Sequence, residues 1–407
     1  MHYGLLGRNL SHSYSPQIHN AFASYSYELM QIEPDELEAF MQKADFKGIN
    51  VTIPYKKAVV PYCHTLSPQA KRLGTVNTIV KQADGTLWGH NTDYFGFQEM
   101  IHHSALTVCG KKVLVLGSGG AGVTACAVLT DLGANAVVIS RQGANNYENL
   151  HLHEDASIIV NATPVGMYPN NGLSPVSLSA FSKLEGVLDL IYNPSKTELL
   201  LQAEQRGLPA VNGLYMLVAQ AKESAECFIG SQIPNRRIAE IYTDLKMQME
   251  NIILIGMPGS GKSTIGQFIA GALHRQFIDT DTLITERTGM SIPAYMEKYG
   301  IELFRQEETA VLRMVCKQSG LVIATGGGCV TREENARLLH QNGTVIWIDR
   351  NIEDLPTEGR PLSAKGNLRA MFEEREPLYA SYSDLRIYNN DTPEKTAERI
   401  LEALKGD

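Results

Sequence analysis

Two glycine-rich stretches of the chain have the residue types that hold phosphate groups. The first, Gly256–Thr264, has the spacing G-x-x-x-x-G-K-S and follows the apolar run Ile252–Ile255. Glycines let backbone N–H groups turn inward around an anion, a lysine reaches the outer phosphates, and a serine hydroxyl can bind Mg²⁺. This phosphate loop predicts a nucleotide-phosphate site with Mg²⁺. The loop residues expected to contact the nucleotide are Gly259, Ser260, Gly261, Lys262, Ser263 and Thr264.

The second stretch, Gly117–Gly122, fits G-x-G-x-x-G between the strand Lys111–Leu116 and an apolar helix. A βαβ unit that begins in this way binds the pyrophosphate of a dinucleotide. At the end of the next strand, where an acid would take the ribose hydroxyl of NAD, the chain has Ser140 and Arg141. A missing acid and one arginine favour NADP. Residues 142–150 add no second basic residue, so NAD stays open as the alternative.

The N-terminal half also has four polar motifs that would suit a small polyhydroxylated acid. They share hydroxyl and amide side chains, and they are Ser11–Asn20, Asn50–Lys56, Gly74–Thr78 and Gly89–Asp93. Lys56 follows a strand that ends at a proline, where a side chain can face a cleft. A lysine and an aspartate in such places can act as a proton-transfer pair for a carbonyl that is reduced. The residues alone do not distinguish Lys56 from its neighbour Lys57.

Alternating strands and helices must position these motifs, which indicates an α/β fold. Ser15 followed by Pro16 predicts a helix start, with the serine as the capping residue. Apolar periodicity predicts two late helices, at about 214–229 and 235–249. The join at Lys246–Glu250 has no Gly, Pro or Ser run, so we expect a short link to the phosphate-loop half.

Composition excludes several classes of protein. The 407 residues carry a net charge of −8 without a basic cluster, which argues against nucleic-acid binding. No apolar run approaches the ~18 residues that a membrane span needs, and the N-terminus does not resemble a signal peptide. The six cysteines are scattered, without a C-x-x-C pair. They fit a reducing cytoplasm, and the oligomeric state is left undetermined.

Residues 1 to about 245 closely resemble shikimate dehydrogenase. The serine motif, N-V-T-x-P-x-K, G-x-V-N-T and G-x-N-T-D occur in that family's order. The glycine loop, Asn161–Met167, Asp189–Pro194 and Gln220 follow them. The resemblance implies NADPH-dependent reduction of 3-dehydroshikimate to shikimate. It also implies a substrate-binding α/β domain at 1–104, completed by helices at about 214–245, and a Rossmann NADP-binding domain at 105–213.

The same resemblance implies roles for single residues. Lys56 and Asp93 would be the catalytic pair, with Lys56 supplying the proton to the oxygen while hydride passes to the carbonyl carbon. Expected substrate contacts are Ser13, Ser15, Thr52, Asn77, Asp93, Tyr192 and Gln220. Expected cofactor contacts are Gly117, Ser118, Gly119, Gly120, Ala121, Ser140, Arg141 and Gly213. The chain departs from the family pattern at Asn9, where proline is common, at Thr75, where alanine is usual, and in lacking the second arginine for the cofactor phosphate.

Residues 250–407 resemble shikimate kinase, a P-loop α/β domain with a parallel sheet. After the phosphate loop come the family's further motifs, which are Asp279-x-Asp281, Phe304–Arg305 with Glu308, Gly326–Gly328, Arg360–Leu362, and Arg375 with Tyr379. The resemblance implies ATP-dependent phosphorylation of shikimate. Phosphoryl transfer of this kind needs positioning and charge neutralisation more than covalent chemistry.

Roles in the C-terminal half follow from that resemblance. Asp281 would accept the proton of the substrate hydroxyl, and Lys262 with Arg360 would neutralise the phosphoryl group. Mg²⁺ would bind Ser263, with Asp279 joined to it through water. Substrate contacts would be Asp281, Arg305, Gly327 and Arg375, because arginine forks clamp carboxylates. The segment Glu353–Gly359 before Arg360 lacks the extra arginine expected near the adenine, which bears on nucleotide affinity.

The two halves fit consecutive reactions, since the product of the first is the substrate of the second. We therefore expect a bifunctional enzyme of the shikimate pathway to aromatic amino acids, using NADP(H), ATP and Mg²⁺. One alternative is a dehydrogenase that uses quinate, fused to a related small-molecule kinase. Another is that one half binds nucleotide without catalysis and regulates the other half.

Overall fold

The computed structural model describes residues 2–10, 13–355 and 368–404. The chain forms two compact units. One unit comprises Met1–Tyr192 and Gln202–Leu245, and the other comprises Asn193–Leu201 and Lys246–Asp407. Within the described ranges, no helix has the length and apolar character that crossing a membrane requires.

The first unit contains a mixed sheet of six strands in the order β2-β1-β3-β5-β6-β4. The strands are β1 His2–Gly7, β2 Tyr27–Gln31, β3 Phe46–Val51, β4 Thr65–Leu66, β5 Thr78–Lys81 and β6 Leu87–His90. Strand β1 pairs in parallel with β2 and β3, whereas β5 is antiparallel to both β3 and β6. The central strands carry the apolar core, with Leu6, Ile49 and Ile79 fully buried.

A second sheet in this unit has five strands, all parallel, in the order β11-β10-β9-β7-β8. Its strands are β7 Lys112–Leu116, β8 Asn135–Ile139, β9 Ile158–Asn161, β10 Gly186–Asp189 and β11 Ala210–Asn212. Strand β7 lies between β8 and β9, so the strand order reverses at its carboxyl end. Ligands of open α/β sheets bind in the crevice at such a reversal.

Helices connect and cover these two sheets. Through residue 249 they are α1 Ser15–Phe22, α2 Leu37–Lys43, α3 Pro68–Leu73, α4 Asp93–His103, α5 Gly120–Asp131, α6 Glu198–Gln205, α7 Leu214–Ile229 and α8 Arg236–Met249. Helices α7 and α8 confirm the two late helices that the apolar periodicity predicts. The capping role expected of Ser15 is wrong. Tyr14 holds the cap position of α1, and Ser15 is its first residue. The Ser15 N–H, one of the first-turn groups without a partner inside the helix, donates to Ser13 Oγ at 3.3 Å.

The second unit has a parallel sheet of five strands in the order β13-β14-β12-β15-β16. Its strands are β12 Asn251–Ile255, β13 Phe277–Asp279, β14 Val322–Ala324, β15 Gly343–Asp349 and β16 Leu385–Tyr388. All residues of β12 are buried, as expected of a parallel strand covered on both faces. The strand order of this sheet reverses at β12, and the phosphate loop follows that strand.

Seven helices of this part of the described chain surround the sheet: α9 Lys262–Leu273, α10 Thr280–Thr288, α11 Ile292–Tyr299, α12 Ile301–Val315, α13 Glu333–His340, α14 Leu368–Tyr382 and α15 Pro393–Ala403. Apolar side chains pack on both sheet faces, including Ile253 and Trp347 on one and Leu254 and Ile346 on the other. Thr392 caps α15 through its side chain, with Pro393 at the first helical position.

Candidate functional sites

Lys56 and Asp93 form an ion pair in the first unit. The Nζ atom of Lys56 donates to Asp93 Oδ2 at 2.6 Å. Lys56 lies in the turn after β3, and Asp93 is the first residue of α4. The side chain of Lys56 is 28% exposed and that of Asp93 is 13% exposed. The pair therefore borders solvent, within reach of a ligand, and the sequence pattern had paired the same two residues.

Two asparagines hold the Asp93 carboxylate and backbone in place. Asn77 Nδ2 donates to Asp93 Oδ1 at 2.9 Å, and the Asp93 N–H donates to Asn91 Oδ1 at 3.1 Å. The Asn77 amide is itself fixed, because its Oδ1 accepts the Thr92 N–H at 2.8 Å. Both oxygens of Asp93 thus have a donor, one from Lys56 and one from Asn77. The carboxylate can orient the lysine without turning.

The other expected substrate residues lie on four different segments. Ser13 and Ser15 open α1, and Thr52 follows β3. The ring of Tyr192 meets that of Tyr14 edge-on, with centroids 6.4 Å apart, and burial raises the pKa of Tyr192. Among the described residues, no hydrogen bond joins Ser13, Ser15 or Thr52 to the Lys56–Asp93 pair.

Gln220 lies beside Thr92, the residue before Asp93. It is on α7, which packs against α4 at Gly96. The side chain of Gln220 donates to Leu217 O at 2.9 Å, and its Oε1 lies 3.4 Å from Thr92 Oγ1, next to Asp93. The structure thus joins Gln220 to Thr92, whose N–H donates to Asn77 Oδ1.

The glycine loop after β7 has geometry that only glycine allows at two places. Gly117 has φ +106°, in the left-handed region. A Cβ on Gly122 would lie 2.1 Å from the carbonyl oxygen of Gly117. The cap residue of α5 is Gly119, so no side chain covers the N–H groups of the first turn. A Cβ on Gly119 or Gly120 would meet nothing within 4 Å. The open approach to this helix N-terminus fits the pyrophosphate of a dinucleotide.

The remaining expected cofactor residues flank that loop. Ser118 borders an apolar hollow of about 280 Å³ beside α5, and Ala121 lies in the first turn of α5. Ser140 and Arg141 follow β8, the strand next to β7, and Arg141 is exposed. Gly213 precedes α7, where a Cβ would lie 2.2 Å from Leu190 O.

The phosphate loop of the second unit has three glycines at positive φ, at +141° for Gly256, +86° for Gly259 and +99° for Gly261. Lys262 begins α9, and its Nζ donates to the carbonyls of Gly256 and Met257, both at 2.9 Å. Gly259, Gly261, Lys262, Ser263 and Thr264 all line one cavity of about 590 Å³. The backbone of Ser260 is held by Asn389, whose Nδ2 donates to Ser260 O at 2.7 Å.

Ser263 and Asp279 supply oxygen ligands at the edge of that cavity. Ser263 Oγ donates to Asp279 Oδ2 at 2.5 Å, and Asp279 Oδ1 accepts the N–H of Asp281 at 3.0 Å. Within the described residues, no group of three or more His, Cys, Asp or Glu could hold a metal ion. A hydroxyl and one carboxylate fit Mg²⁺, which binds through one or two carboxylates and substrate phosphates.

Charged residues converge at the other end of the cavity. Arg305 and Glu308, both on α12, form a buried ion pair with Nη1–Oε2 at 2.8 Å. Burial raises the pKa of Glu308 to about 7, against the lowering effect of Arg305. A Cβ on Gly326 would lie 2.6 Å from both Asp281 Oδ1 and Glu308 Oε1, so the two acids approach each other at this glycine.

Gly327 is held by two residues of α14. Arg375 Nη1 donates to Gly327 O at 3.1 Å, and the hydroxyl of Tyr379 donates to the same oxygen. Asp281, Arg305, Gly327 and Arg375, the expected substrate contacts, all line this cavity. Arg360 lies outside the described residues. Arg350, directly after β15, also lines the cavity. Sequence reasoning missed it, although an arginine at the carboxyl end of a buried strand was a signal for this position.

Comparison with known proteins identifies both halves. The family model for the shikimate dehydrogenase substrate binding domain matches residues 5–79, and the model for shikimate kinase matches residues 258–405. The shikimate dehydrogenase (NADP(+)) of Clostridium perfringens strain 13 is 34% identical over 266 residues, which cover 60% of this chain and 98% of that relative.

Solved structures agree with the dehydrogenase match. Shikimate dehydrogenase 1 from Peptoclostridium difficile is 39% identical, with a TM-score of 0.55, covering 60% of this chain and 97% of its own. A chorismate mutase/shikimate 5-dehydrogenase fusion protein from Clostridium acetobutylicum is 34% identical, with a TM-score of 0.57, covering 60% and 96%. The chain therefore belongs to the shikimate dehydrogenase family over its N-terminal part and carries a shikimate kinase domain over its C-terminal part.

Proposed function

We propose that this chain catalyses two consecutive reactions, the NADPH-dependent reduction of 3-dehydroshikimate to shikimate and the ATP-dependent phosphorylation of shikimate to shikimate 3-phosphate. The observation that carries the proposal is the Lys56–Asp93 pair, 2.6 Å apart, on a chain that also has a shikimate kinase domain. Both activities belong to the shikimate pathway, which leads to chorismate and the aromatic amino acids. No observation favours quinate as the substrate or a non-catalytic half.

In the first reaction, Lys56 donates a proton to the carbonyl oxygen of the substrate. Asp93, held by Asn77, keeps the ammonium group oriented toward that oxygen. The hydroxyl and carboxylate groups of the substrate contact side chains on both sides of this pair, and these are Ser13, Ser15, Thr52, Asn77, Tyr192 and Gln220. The Lys56–Asp93 hydrogen bond supports the roles of these two residues, and the others are carried by the family motifs.

NADPH, when bound, supplies the hydride. The residues proposed to hold it are Gly117, Ser118, Gly119, Gly120 and Ala121 at the pyrophosphate, Ser140 and Arg141 at the 2′-phosphate, and Gly213 as a further contact. Two observations support this proposal. The close approach of Gly122 to Gly117 packs the start of α5 against the end of β7, and the backbone at Gly119 and Gly120 is open to the pyrophosphate.

In the second reaction, Asp281 accepts the proton of the shikimate hydroxyl and orients that oxygen. Arg305, Arg375 and the Gly327 backbone bind the substrate, with the two guanidinium groups on its carboxylate. ATP supplies the phosphoryl group, and the proposed contacts to it are Gly259, Ser260, Gly261, Lys262, Ser263, Thr264 and Arg360. Ser263 and Asp279 are proposed to hold Mg²⁺. Lys262 and Arg360 offset negative charge on the phosphates.

We assign these tasks to three parts of the chain. Residues 1–104, completed by helices at about 214–245, would bind the shikimate ring for the dehydrogenase. Residues 105–213 would bind NADP, and residues 250–407 would form the kinase. The separate sheets support this division, with β1–β6 in the first part, β7–β11 in the second and β12–β16 in the third.

Small molecules are the partners that these sites fit. The net charge of −8 argues against nucleic acid as a further partner. The cysteines are free thiols, two of them buried, which supports a reducing compartment such as the cytoplasm.

The decisive experiment supplies the purified full-length chain with shikimate and follows two products. NADP⁺ reduction at 340 nm reports oxidation of shikimate, and ADP release with ATP and Mg²⁺ reports phosphorylation. We expect both, with quinate a much poorer substrate in the first assay. A chain that reduces NADP⁺ faster with quinate than with shikimate would contradict the proposal, as would ATP turnover that does not depend on shikimate.

A further inference from the structure

Ser224 on α7 is buried at the centre of the polar side chains beneath the Lys56–Asp93 pair. We propose that Ser224 is a positioning residue of the dehydrogenase, whose hydroxyl fixes Thr92 and Asn77 and through them the Asp93 carboxylate. The inference rests on the proposed dehydrogenase activity. It adds a residue that acts through its neighbours and not by contact with the reacting atoms.

The hydroxyl of Ser224 meets groups from four segments of the first unit. Ser224 Oγ lies 2.8 Å from Asn50 Nδ2, 2.9 Å from Thr78 Oγ1 and 3.0 Å from Thr92 Oγ1. It also donates to the carbonyl of Gln220, one helical turn earlier, at 2.9 Å. These partners belong to β3, to β5, to the residue before α4 and to α7, so one oxygen ties together the elements that surround the pair.

A serine hydroxyl donates one hydrogen bond and accepts two. Since Ser224 donates to Gln220 O, it accepts the Asn50 amide and one of the two threonine hydroxyls. Its capacity is therefore filled by protein groups. Loss of the hydroxyl would leave Asn50 and a threonine with one partner fewer in a site that is closed to water. In a buried network, such a loss changes the orientation of the remaining groups.

The network continues from Ser224 to the carboxylate of Asp93. Thr78 Oγ1 and Thr92 Oγ1 lie 3.1 Å and 3.2 Å from Asn77 Oδ1. The threonine hydroxyl that does not donate to Ser224 can donate to this oxygen, which also accepts the Thr92 N–H at 2.8 Å. With its oxygen held in this way, the Asn77 amide presents its nitrogen to Asp93 Oδ1, at 2.9 Å. Two hydrogen bonds thus separate Ser224 from Asn77 Nδ2, and three separate it from Asp93, the partner of Lys56. Loss of the Ser224 hydroxyl should therefore change the orientation of the Lys56 ammonium group, which is the proposed proton donor.

A merely structural role for Ser224 would have a different signature. Ser104, at the end of α4, is a matched control because it is also buried and its hydroxyl donates to Ile101 O at 2.7 Å. Ser104 Oγ accepts the Leu106 N–H at 3.2 Å and has no link to Asn77 or Asp93. Truncation of either serine removes buried hydrogen bonds, but only Ser224 connects to the pair.

The experiment compares Ser224→Ala and Ser104→Ala in the full-length chain. It measures kcat and KM for NADP⁺-linked oxidation of shikimate, the melting temperature, and the ATP-dependent activity as an internal control. We expect Ser224→Ala to lower kcat about tenfold or more, with KM for NADP⁺ changed less than about twofold and the kinase rate unchanged. Ser104→Ala should lower the melting temperature and keep kcat within about twofold of the unsubstituted chain. A Ser224→Ala kcat within that range, or an equal loss in both variants, would overturn the inference.

If Ser224→Ala does not fold, Ser224→Cys answers the same question. Cysteine is close to serine in size and can still donate weakly to Gln220 O, but its sulfur is a weak acceptor for Asn50 and the threonines. We expect Ser224→Cys to stay folded at the assay temperature and to lose about threefold or more in kcat. An unchanged kcat would overturn the inference. An unsubstituted chain without NADP⁺-linked activity would overturn the proposed function together with the inference, whereas an active chain with unaffected Ser224 variants would overturn the inference alone.

Discussion

Gly122 approaches Gly117 so closely that a Cβ on Gly122 would lie 2.1 Å from the Gly117 carbonyl oxygen. The two glycines bring the first turn of α5 against the end of β7, which is the place proposed for the pyrophosphate. The contact is between backbone atoms, so a side chain here cannot be accommodated by a change of rotamer.

For this reason Gly122→Ala should weaken NADP binding and destabilise the first unit. We expect KM for NADP⁺ to rise about tenfold or more and the free energy of unfolding to fall by about 1–3 kcal/mol. Steady-state kinetics and denaturant unfolding measure the two effects. Gly120→Ala is the stability control, because a Cβ there meets nothing within 4 Å. It should keep or raise the free energy of unfolding, and an equal loss in both variants would contradict the close-contact argument.

Separate substitutions should silence the two activities one at a time. Lys56→Ala removes the proposed proton donor and should lower NADP⁺-linked oxidation by about 10²–10⁴-fold while sparing ATP-dependent phosphorylation. Asp281→Asn should do the reverse. Lys57→Ala, at the exposed neighbouring lysine, should change neither rate by more than about twofold. Loss of both activities in a folded Lys56→Ala protein would show that the halves are not independent.

The buried carboxyl of Glu308 should make stability depend on pH. Its pKa is raised to about 7 from a model-compound value of 4.5, mainly by burial. The folded chain therefore binds more protons at this site than the unfolded chain between these two values, and the free energy of unfolding should fall as pH rises through this range. The free energy of unfolding of the unsubstituted chain, taken relative to that of Glu308→Gln, should fall by about 2–3 kcal/mol from pH 5 to pH 7.5. Urea unfolding at several pH values measures this difference, and a constant difference would refute the assignment.

Asn389 should affect ATP binding through the phosphate loop. Its Nδ2 donates to Ser260 O, and its Oδ1 accepts from Thr396 Oγ1 at 3.1 Å. Asn389→Ala leaves a buried loop carbonyl without that donor, at a cost of about 1–3 kcal/mol, and should raise KM for ATP several-fold. Asn390→Ala, at the exposed neighbour, is the control. Isothermal titration with ADP gives the affinities, and equal affinities in both variants would count against a bracing role.

Sequence reasoning reached the elements that follow from local pattern. The strands before both glycine loops, the helix α7 and the Thr392 cap of α15 all depend on residues close in the chain. Lys56 and Asp93 were paired through motif order, and the structure brings them within 2.6 Å. Local spacing and motif order were sufficient for these features.

The polar network around Ser224 could not be predicted in this way. Asn50 and Ser224 are 174 positions apart, and their contact exists only once α7 packs on the first sheet. A serine inside an apolar helix face has no local signature that separates it from a small core residue. The Ser15 cap failed because α1 begins at Ser15 itself, one residue before the start that the Ser-Pro pair indicates, and Tyr14 holds the cap position.

Strands β7 and β12, which end in the two glycine loops, each have a hydrogen-bonded neighbour on both sides. Such a strand cannot shift or separate from the sheet without breaking its backbone hydrogen bonds to two neighbouring strands. Sequence drift, insertions and fraying should accordingly accumulate at the rims, in β2, β4, β8, β11, β13 and β16. A protein engineer who wishes to graft a tag or a new loop should begin at the edge strands without a proposed ligand residue, β2, β4 and β11, and leave the middle of each sheet untouched.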